Sequence, residues 1–205
     1  MSNRSRQTGL SRRGFLKGAG ISAAGAAIAE SGLATLAEAQ QTAQSRPVLG
    51  PGATSITLKI NGAEKKLQVE PRTTLADALR IKLDMTGTKV VCDRGACSAC
   101  TVWVDGKPVN SCMTLAMDAV GREVRTIEGL AQGDKLHRVQ EQFIAHDASQ
   151  CGFCTSGMLM SCAYLLEHNK NPTLDDVKAA TSGNLCRCGT YPKVFEAVLA
   201  AAKEL

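Results

Sequence analysis

Apolar and polar positions alternate over Ser55-Ile-Thr-Leu-Lys-Ile60 and again over Lys66-Leu-Gln-Val-Glu70, with Asn61-Gly62 between them. A period of two is that of a half-buried strand, and Asn-Gly accepts the positive φ of a tight turn, so this stretch predicts a β-hairpin. Leu75, Leu79 and Leu83 then recur at helical spacing behind Thr73 and Thr74, either of which can cap a helix over 75–83. Thr101-Val-Trp-Val104 predicts another strand, turning at Asp105-Gly106. Strands, one helix and further strands within so short a stretch predict a small α+β sheet.

The pattern changes near Gly129. From Asp134 onward the spacing is helical, with Leu136, Val139, Phe143 and Ile144 on one stripe. Thr155 or Ser156 can cap a second helix running to about His168. Asn171-Pro172 breaks it, and Thr173 caps a third through Asp175, Asp176, Val177 and Ala180. Tyr191-Pro192 opens a fourth that reaches the C-terminus, so this half predicts a small four-helix bundle. Residues 40–54, polar with Pro47 and Pro51, read as an extended arm.

The first 39 residues carry five basic side chains against two acidic ones, net +3 of the chain's +5. Gly18 to Ala29 is uncharged but only 12 residues long, too short for a helical membrane span of about 20. Ala37-Glu38-Ala39 has the small-x-small form of a signal-peptidase site. Ser11-Arg12-Arg13-Gly14-Phe15-Leu16-Lys17 resembles a twin-arginine export signal, so residues 1–39 are expected to be an address and the mature protein periplasmic. Gly18, Gly20 and Ala23 also fit a dinucleotide fingerprint, but no strand precedes them, and that reading is rejected.

Aromatic residues make up 3 % of the 205-residue chain, too few for base-stacking nucleic-acid platforms. Nine cysteines are the feature that needs an explanation. Disulfides would suit an exported chain, yet nine is odd, and C-x-C and C-x2-C pairs are poorly placed for ordinary bridges. Cys92-x4-Cys97-x2-Cys100 with Cys112 beyond has the plant-type [2Fe-2S] spacing, and the small residues Gly95, Ala96, Ser98 and Ala99 let backbone N–H groups approach. Cys151-x2-Cys154 and Cys186-x-Cys188 each precede a predicted helix, where the N-terminal dipole favours thiolate; these four could hold zinc or a second [2Fe-2S] core. Cys162, mid-helix among leucines, reads as a small buried hydrophobe, as Met158 and Met160 read as packing. His137, His146 and His168 are not needed as ligands, and no catalytic acid, base or nucleophile constellation appears.

Gly87-Thr-Lys-Val-Val-Cys92-Asp-Arg-Gly95-Ala-Cys97-Ser-Ala-Cys100-Thr-Val, Ser111-Cys112, Gln150-Cys151-Gly152-Phe-Cys154-Thr and Gly183-Asn-Leu-Cys186-Arg-Cys188 resemble the small iron–sulfur subunits of the molybdenum hydroxylases, the xanthine dehydrogenase and aldehyde oxidoreductase family. The resemblance runs from about Ser55 to the C-terminus, and the export signal brings it nearest to periplasmic aldehyde oxidoreductases. It implies a β-grasp ferredoxin-like domain over 55–130 and a four-helix-bundle domain over 131–205, each with one [2Fe-2S] cluster. Molybdopterin is then expected on a large partner subunit and FAD on a medium one, or a cytochrome as acceptor. An aldehyde or N-heterocycle would be oxidised there with water as the oxygen source, and this chain would relay the electrons without catalysing. By the same resemblance Cys151, Cys154, Cys186 and Cys188 hold the cluster nearer molybdenum, Cys92, Cys97, Cys100 and Cys112 the outer one, and Gln150 and Cys188 approach the pterin. The sequence departs from the family at Val91 and Ser98, where glycine is common, at Ser156, where proline is common, and in the order Gly189-Thr190. A free-standing two-cluster electron carrier, or a ferredoxin with a structural zinc domain, is the alternative.

Overall fold

The computed structural model describes residues 50–204. The twin-arginine segment, the dinucleotide-like glycines and most of the expected arm lie outside the described residues. Among those described, no helix is long and apolar enough to cross a membrane.

The predicted hairpin is β1 (Thr54–Ile60) and β2 (Ala63–Val69), paired antiparallel from Thr54 opposite Val69 to Ile60 opposite Ala63. Asn61 and Gly62 turn it with φ of 51° and 81°. The helix expected over 75–83 is α-helical only over α1 (Leu75–Asp77). Ala78–Lys82 continues it as a wider π-type turn, closed by Leu83 N–H on the Ala78 carbonyl at 3.2 Å. Thr74 caps the start, accepting the Asp77 N–H at 3.1 Å, and Leu75 and Leu79 are fully buried.

β3 (Thr101–Val104) and β4 (Lys107–Asn110) form a second hairpin, and β5 (Glu123–Arg125) completes a five-stranded sheet in the order β2-β1-β5-β3-β4. β5 runs parallel to β1 and antiparallel to β3. All four residues of β3 are buried, which requires both faces of the strand to be covered. Val102 and Val104 join Leu58, Ile60, Leu79 and Val124 in the core under α1. Trp103, on the opposite face, belongs to the core of the helical half.

That half comprises α2 (Arg138–Ala145), α3 (Thr155–His168), α4 (Leu174–Thr181) and α5 (Tyr191–Lys203), close to the predicted helices. Thr173 caps α4 with Asp176 reaching back to its N–H at 2.8 Å. The α2 stripe is narrower than expected. Val139 and Phe143, one turn apart, are buried, but Leu136 precedes the cap His137, and Ile144 points about a quarter-turn away and is 71 % exposed. Met158, Met160 and Cys162 fill the centre with Leu166, Val194 and Val198.

Trp103 fastens the sheet to the bundle. Its indole N–H donates to the Met160 carbonyl at 3.1 Å, and its ring meets Tyr164 edge-on at 5.8 Å. Arg125 of β5 lies over the indole at 4.9 Å and pairs with Glu167 of α3 at 2.8 Å.

Candidate functional site

Cys92, Cys97 and Cys100 sit on the loop between α1 and β3, and Cys112 on the short turn after β4. The loop is bent by left-handed residues, with φ of 53° at Asp93, 69° at Gly95 and 51° at Ser98. Interleaving such residues turns successive N–H groups toward one side, a nest that suits anions. Gly95 N–H donates to Cys112 Sγ at 3.3 Å. The N–H of Arg94, with help from the Cys97 thiol, brings Cys92 down to about 7. Burial pushes Cys97 up, and burial with the neighbouring Cys100 thiol pushes Cys112 up to about 11.

Cys151 and Cys154 lie on the turn into α3, Cys186 and Cys188 on the turn into α5. Phe153 N–H and the Cys188 thiol lower Cys151, and Cys188 is raised by Cys151. Burial and the Cys186 thiol push Cys154 up to about 12. Cys186 falls to about 7 against its own burial, because the Thr190 hydroxyl (3.2 Å from Sγ), the N–H groups of Thr190 and Gly189, and the Cys154 thiol stabilise its thiolate.

Within each set the thiols influence one another, most strongly Cys97 on Cys92, Cys100 on Cys112, Cys151 on Cys188, and Cys186 on Cys154. Among the described residues no three Cys, His, Asp or Glu side chains gather about a single point. A tetrahedral zinc needs four donors around one centre, whereas a [2Fe-2S] core takes two thiolates on each of two irons. The pairing, with N–H groups aimed at the sulfurs, fits two such cores.

The two cysteine loops touch. Leu185 N–H donates to the Cys97 carbonyl at 3.1 Å, and Asn184 Nδ2 to the Ser98 carbonyl at 3.1 Å. At Gly157 in the first turn of α3 the helix backbone presses on this loop, because an added Cβ would meet the Ser98 carbonyl and come within 2.9 Å of Ala99 backbone atoms.

Residues 58–131 match the family of 2Fe-2S iron-sulfur cluster binding domains, and residues 126–199 match the [2Fe-2S] binding domain family. The aldehyde oxidoreductase iron-sulfur-binding subunit PaoA of Escherichia coli K12 is 40 % identical over 211 residues, covering 96 % of this chain and 90 % of that one. The nicotine 6-hydroxylase small subunit of Paenarthrobacter nicotinovorans is 48 % identical over 150 residues, covering 73 % and 90 %. The chain belongs to the [2Fe-2S] subunits of the molybdenum hydroxylases. Among solved structures, quinoline 2-oxidoreductase from Pseudomonas putida 86 superposes with a TM-score of 0.71 at 46 % identity, over 74 % of this chain and 94 % of its own. As a member of this family the chain carries two [2Fe-2S] clusters and transfers electrons without itself catalysing.

Each departure from the family pattern has a local structure. Ser98 adopts a left-handed φ that glycine would take without strain, and its carbonyl is held by the N–H and hydroxyl of Thr101 as well as by Asn184. Gly189, not Thr190, takes the left-handed position (φ 78°), leaving the Thr190 hydroxyl on Cys186. Ser156 is buried in the first turn of α3, with its hydroxyl unpartnered among the described residues. Val91 is exposed.

Cys162 is fully buried in the bundle, its thiol pushed up by burial alone, and Met158 and Met160 are core. His137 and His146 cap the two ends of α2, and His168 ends α3 against Tyr164. Gln150, Cys151 and Cys188 are exposed, while Cys154 and Cys186 lie further in. Sequence reasoning did not single out Gly157, Asn184 or Tyr191. Asn184 and Tyr191 lie in the Cys186 motif and at the α5 start, but the roles of all three come from neighbours that no local pattern shows.

Proposed function

We propose that this subunit relays electrons singly from a molybdopterin-bearing large subunit to FAD on a medium subunit, or to a cytochrome. Cys151, Cys154, Cys186 and Cys188 hold the inner cluster, and Cys92, Cys97, Cys100 and Cys112 the outer one. When bound, each cluster supplies a one-electron couple. The observation that carries this reading is the Leu185 N–H on the Cys97 carbonyl, which joins a ligand segment of one group to a ligand residue of the other. The exposed Cys151–Cys188 pair, with Gln150 beside it, faces outward toward the pterin. Cys154 and Cys186 lie further in, and Leu185, next to Cys186, bonds to the Cys97 carbonyl.

The cysteine segments also carry large apolar side chains in contact with solvent. Val91 precedes Cys92, Met113 follows Cys112, Phe153 lies between Cys151 and Cys154, and Leu185 precedes Cys186, each more than half exposed (54, 66, 59 and 57 %). A free-standing carrier has no use for such a rim, whereas an obligate subunit buries it. This favours the subunit reading over the carrier.

The substrate class is an aldehyde, oxidised with one water to a carboxylic acid, two protons and two electrons. Support comes from the aldehyde oxidoreductase subunit of Escherichia coli, whose similarity extends over 96 % of this chain, N-terminal residues included, whereas the nicotine enzyme's subunit covers 73 %. Residues 1–39 direct export of the folded protein to the periplasm through Arg12 and Arg13, residues 40–54 form an arm, and the cluster domains are 55–130 and 131–205. Replacing both arginines by lysine should leave folded precursor in the cytoplasm, and unimpaired export would refute the assignment.

Cys97→Ser and Cys154→Ser test the relay. Each should remove one cluster and leave the other, so that iron and acid-labile sulfide fall from about four to about two per chain and one of two electron-spin-resonance signals disappears. Loss of both signals from a folded chain would contradict one cluster per thiol group.

A further inference from the structure

The turn that touches the Cys97 loop does not hold itself. Between Thr181 and Tyr191 it carries Asn184, Leu185 and Cys186, and the Asn184 side chain is 2 % exposed. The Tyr191 hydroxyl closes it. This oxygen donates to the Asn184 carbonyl at 3.0 Å and accepts the Cys186 N–H at 2.8 Å, so one group satisfies the backbone on both sides of Leu185. Tyr191 is the first residue of α5, and its ring lies 6.3 Å from that of Phe195 one turn on, which ties the hydroxyl to the helix. The clamped Leu185 has its side chain in solvent and its N–H on the Cys97 carbonyl. Asn184 has a second tether through Thr181, whose carbonyl accepts its N–H at 2.9 Å, whereas the Leu185 N–H goes out to the Cys97 loop and Cys186 is held besides at its Sγ by the Thr190 hydroxyl.

We infer that Tyr191 is a positioning residue for electron transfer between the two cluster sites, its hydroxyl fixing the Asn184–Cys186 turn so that the Leu185 N–H stays on the Cys97 carbonyl. This deepens the relay reading and rests on it. Tyr191 holds no metal and touches no substrate. It acts through the backbone on both sides of Leu185, and removing its oxygen leaves a half-buried carbonyl and N–H without their shared partner. Thr190, one residue earlier, has a different task, since its hydroxyl is on Cys186 Sγ itself.

Tyr191→Phe in the full chain within its complex is the test, because it keeps the ring against Phe195 and removes only the oxygen. Three readouts are taken: iron and sulfide content, hydrogen exchange of the Leu185 amide, and the rate at which an electron injected by pulse reduction equilibrates between the clusters. The expected result is full cluster content, Leu185 protection lowered about tenfold, and slower equilibration. Asn184→Ala is the comparison. It removes the Nδ2 bond to Ser98, whose carbonyl keeps Thr101, and leaves both Tyr191 bonds in place, so its effect on Leu185 should be smaller. Unchanged protection or unchanged equilibration in Tyr191→Phe overturns the inference. So does loss of the inner cluster, which would make Tyr191 an assembly residue. Wild-type protein with fewer than two clusters would sink the relay reading instead, and Leu185 exchange would still report on the clamp.

Discussion

Gly157→Ala should destabilise the protein, although the same change in an exposed helix interior would stabilise it by about 1 kcal/mol. Gly157 lies in the first turn of α3, and a Cβ there would overlap the Ser98 carbonyl and stand 2.9 Å from both Cα and the carbonyl carbon of Ala99. None of these atoms can rotate away. Ordinary contact begins near 3.4 Å, and the Ser98 carbonyl is the closest of these atoms, so α3 or the Cys97–Cys100 loop must move by about an ångström or more. Overpacking typically costs about 1–3 kcal/mol, and a clash with backbone alone belongs at the upper end. Subtracting the propensity gain leaves a loss of about 2 kcal/mol, or a fall of roughly 1 M in the urea midpoint for a chain of this size. The assay is far-UV circular dichroism under anaerobic conditions with both clusters loaded. Gly183→Ala is the control, because its Cβ would meet only the Ser98 hydroxyl, at 3.2 Å, and a hydroxyl can turn. It should change stability by about 0.5 kcal/mol or less. If Gly157→Ala matched or exceeded the wild type, the close approach of α3 to the cysteine loop would be refuted, and with it the rigid junction between the two sites.

Three other outcomes are expected. His137 caps α2 by accepting the Val139 N–H on Nδ1 at 3.3 Å, and burial, then the Arg125 charge, lower its pKa from the ordinary 6.5. The folded state therefore takes up this proton later than the unfolded chain does. The associated stability is present above about pH 6.5 and is lost as pH falls through the folded-state value. His137→Asn keeps a cap and should flatten the urea midpoint between pH 5 and 7, and an unchanged slope would exclude His137 as its source. Cys162→Ser buries a hydroxyl in an apolar core and should cost about 1–3 kcal/mol while leaving iron and sulfide content untouched, whereas loss of iron would make Cys162 a ligand. Trp103→Phe removes the bond to Met160 and weakens the Arg125 stack, for a loss of about 2 kcal/mol in urea unfolding. A neutral result would mean that Trp103 does not fasten the sheet to the bundle.

Local patterns carried much of this architecture. The Asn61-Gly62 hairpin and the starts of α4 and α5 followed from turn chemistry, the Thr173 cap and Tyr191-Pro192, because those signals lie within a few residues of the structure they specify. The expected cap of α3 fails: Thr155 is already the first residue of the helix, Cys154 precedes it, and neither Thr155 nor Ser156 caps it. β4, and β5 above all, were hidden for the opposite reason. Glu123–Arg125 is a strand only because β1 and β3 flank it, and three residues show no period of their own. β3 was legible as a strand, but only the packed bundle shows that both its faces are buried, with Trp103 facing away from Val102 and Val104. Both cysteine sets could be read from spacing alone. Their division into pairs could not, since Cys151 finds Cys188 and Cys154 finds Cys186 across more than thirty residues. The contact between the two loops, through Gly157, Asn184, Leu185 and Tyr191, depends on the same long-range closure.

The most direct test of the account is the content of iron, acid-labile sulfide, zinc and molybdenum per chain in protein purified gently from its native host. The relay predicts about four iron and four sulfide, no stoichiometric zinc, and molybdenum in the same complex. About two iron with zinc and no molybdenum would contradict it, leaving a ferredoxin joined to a structural metal domain.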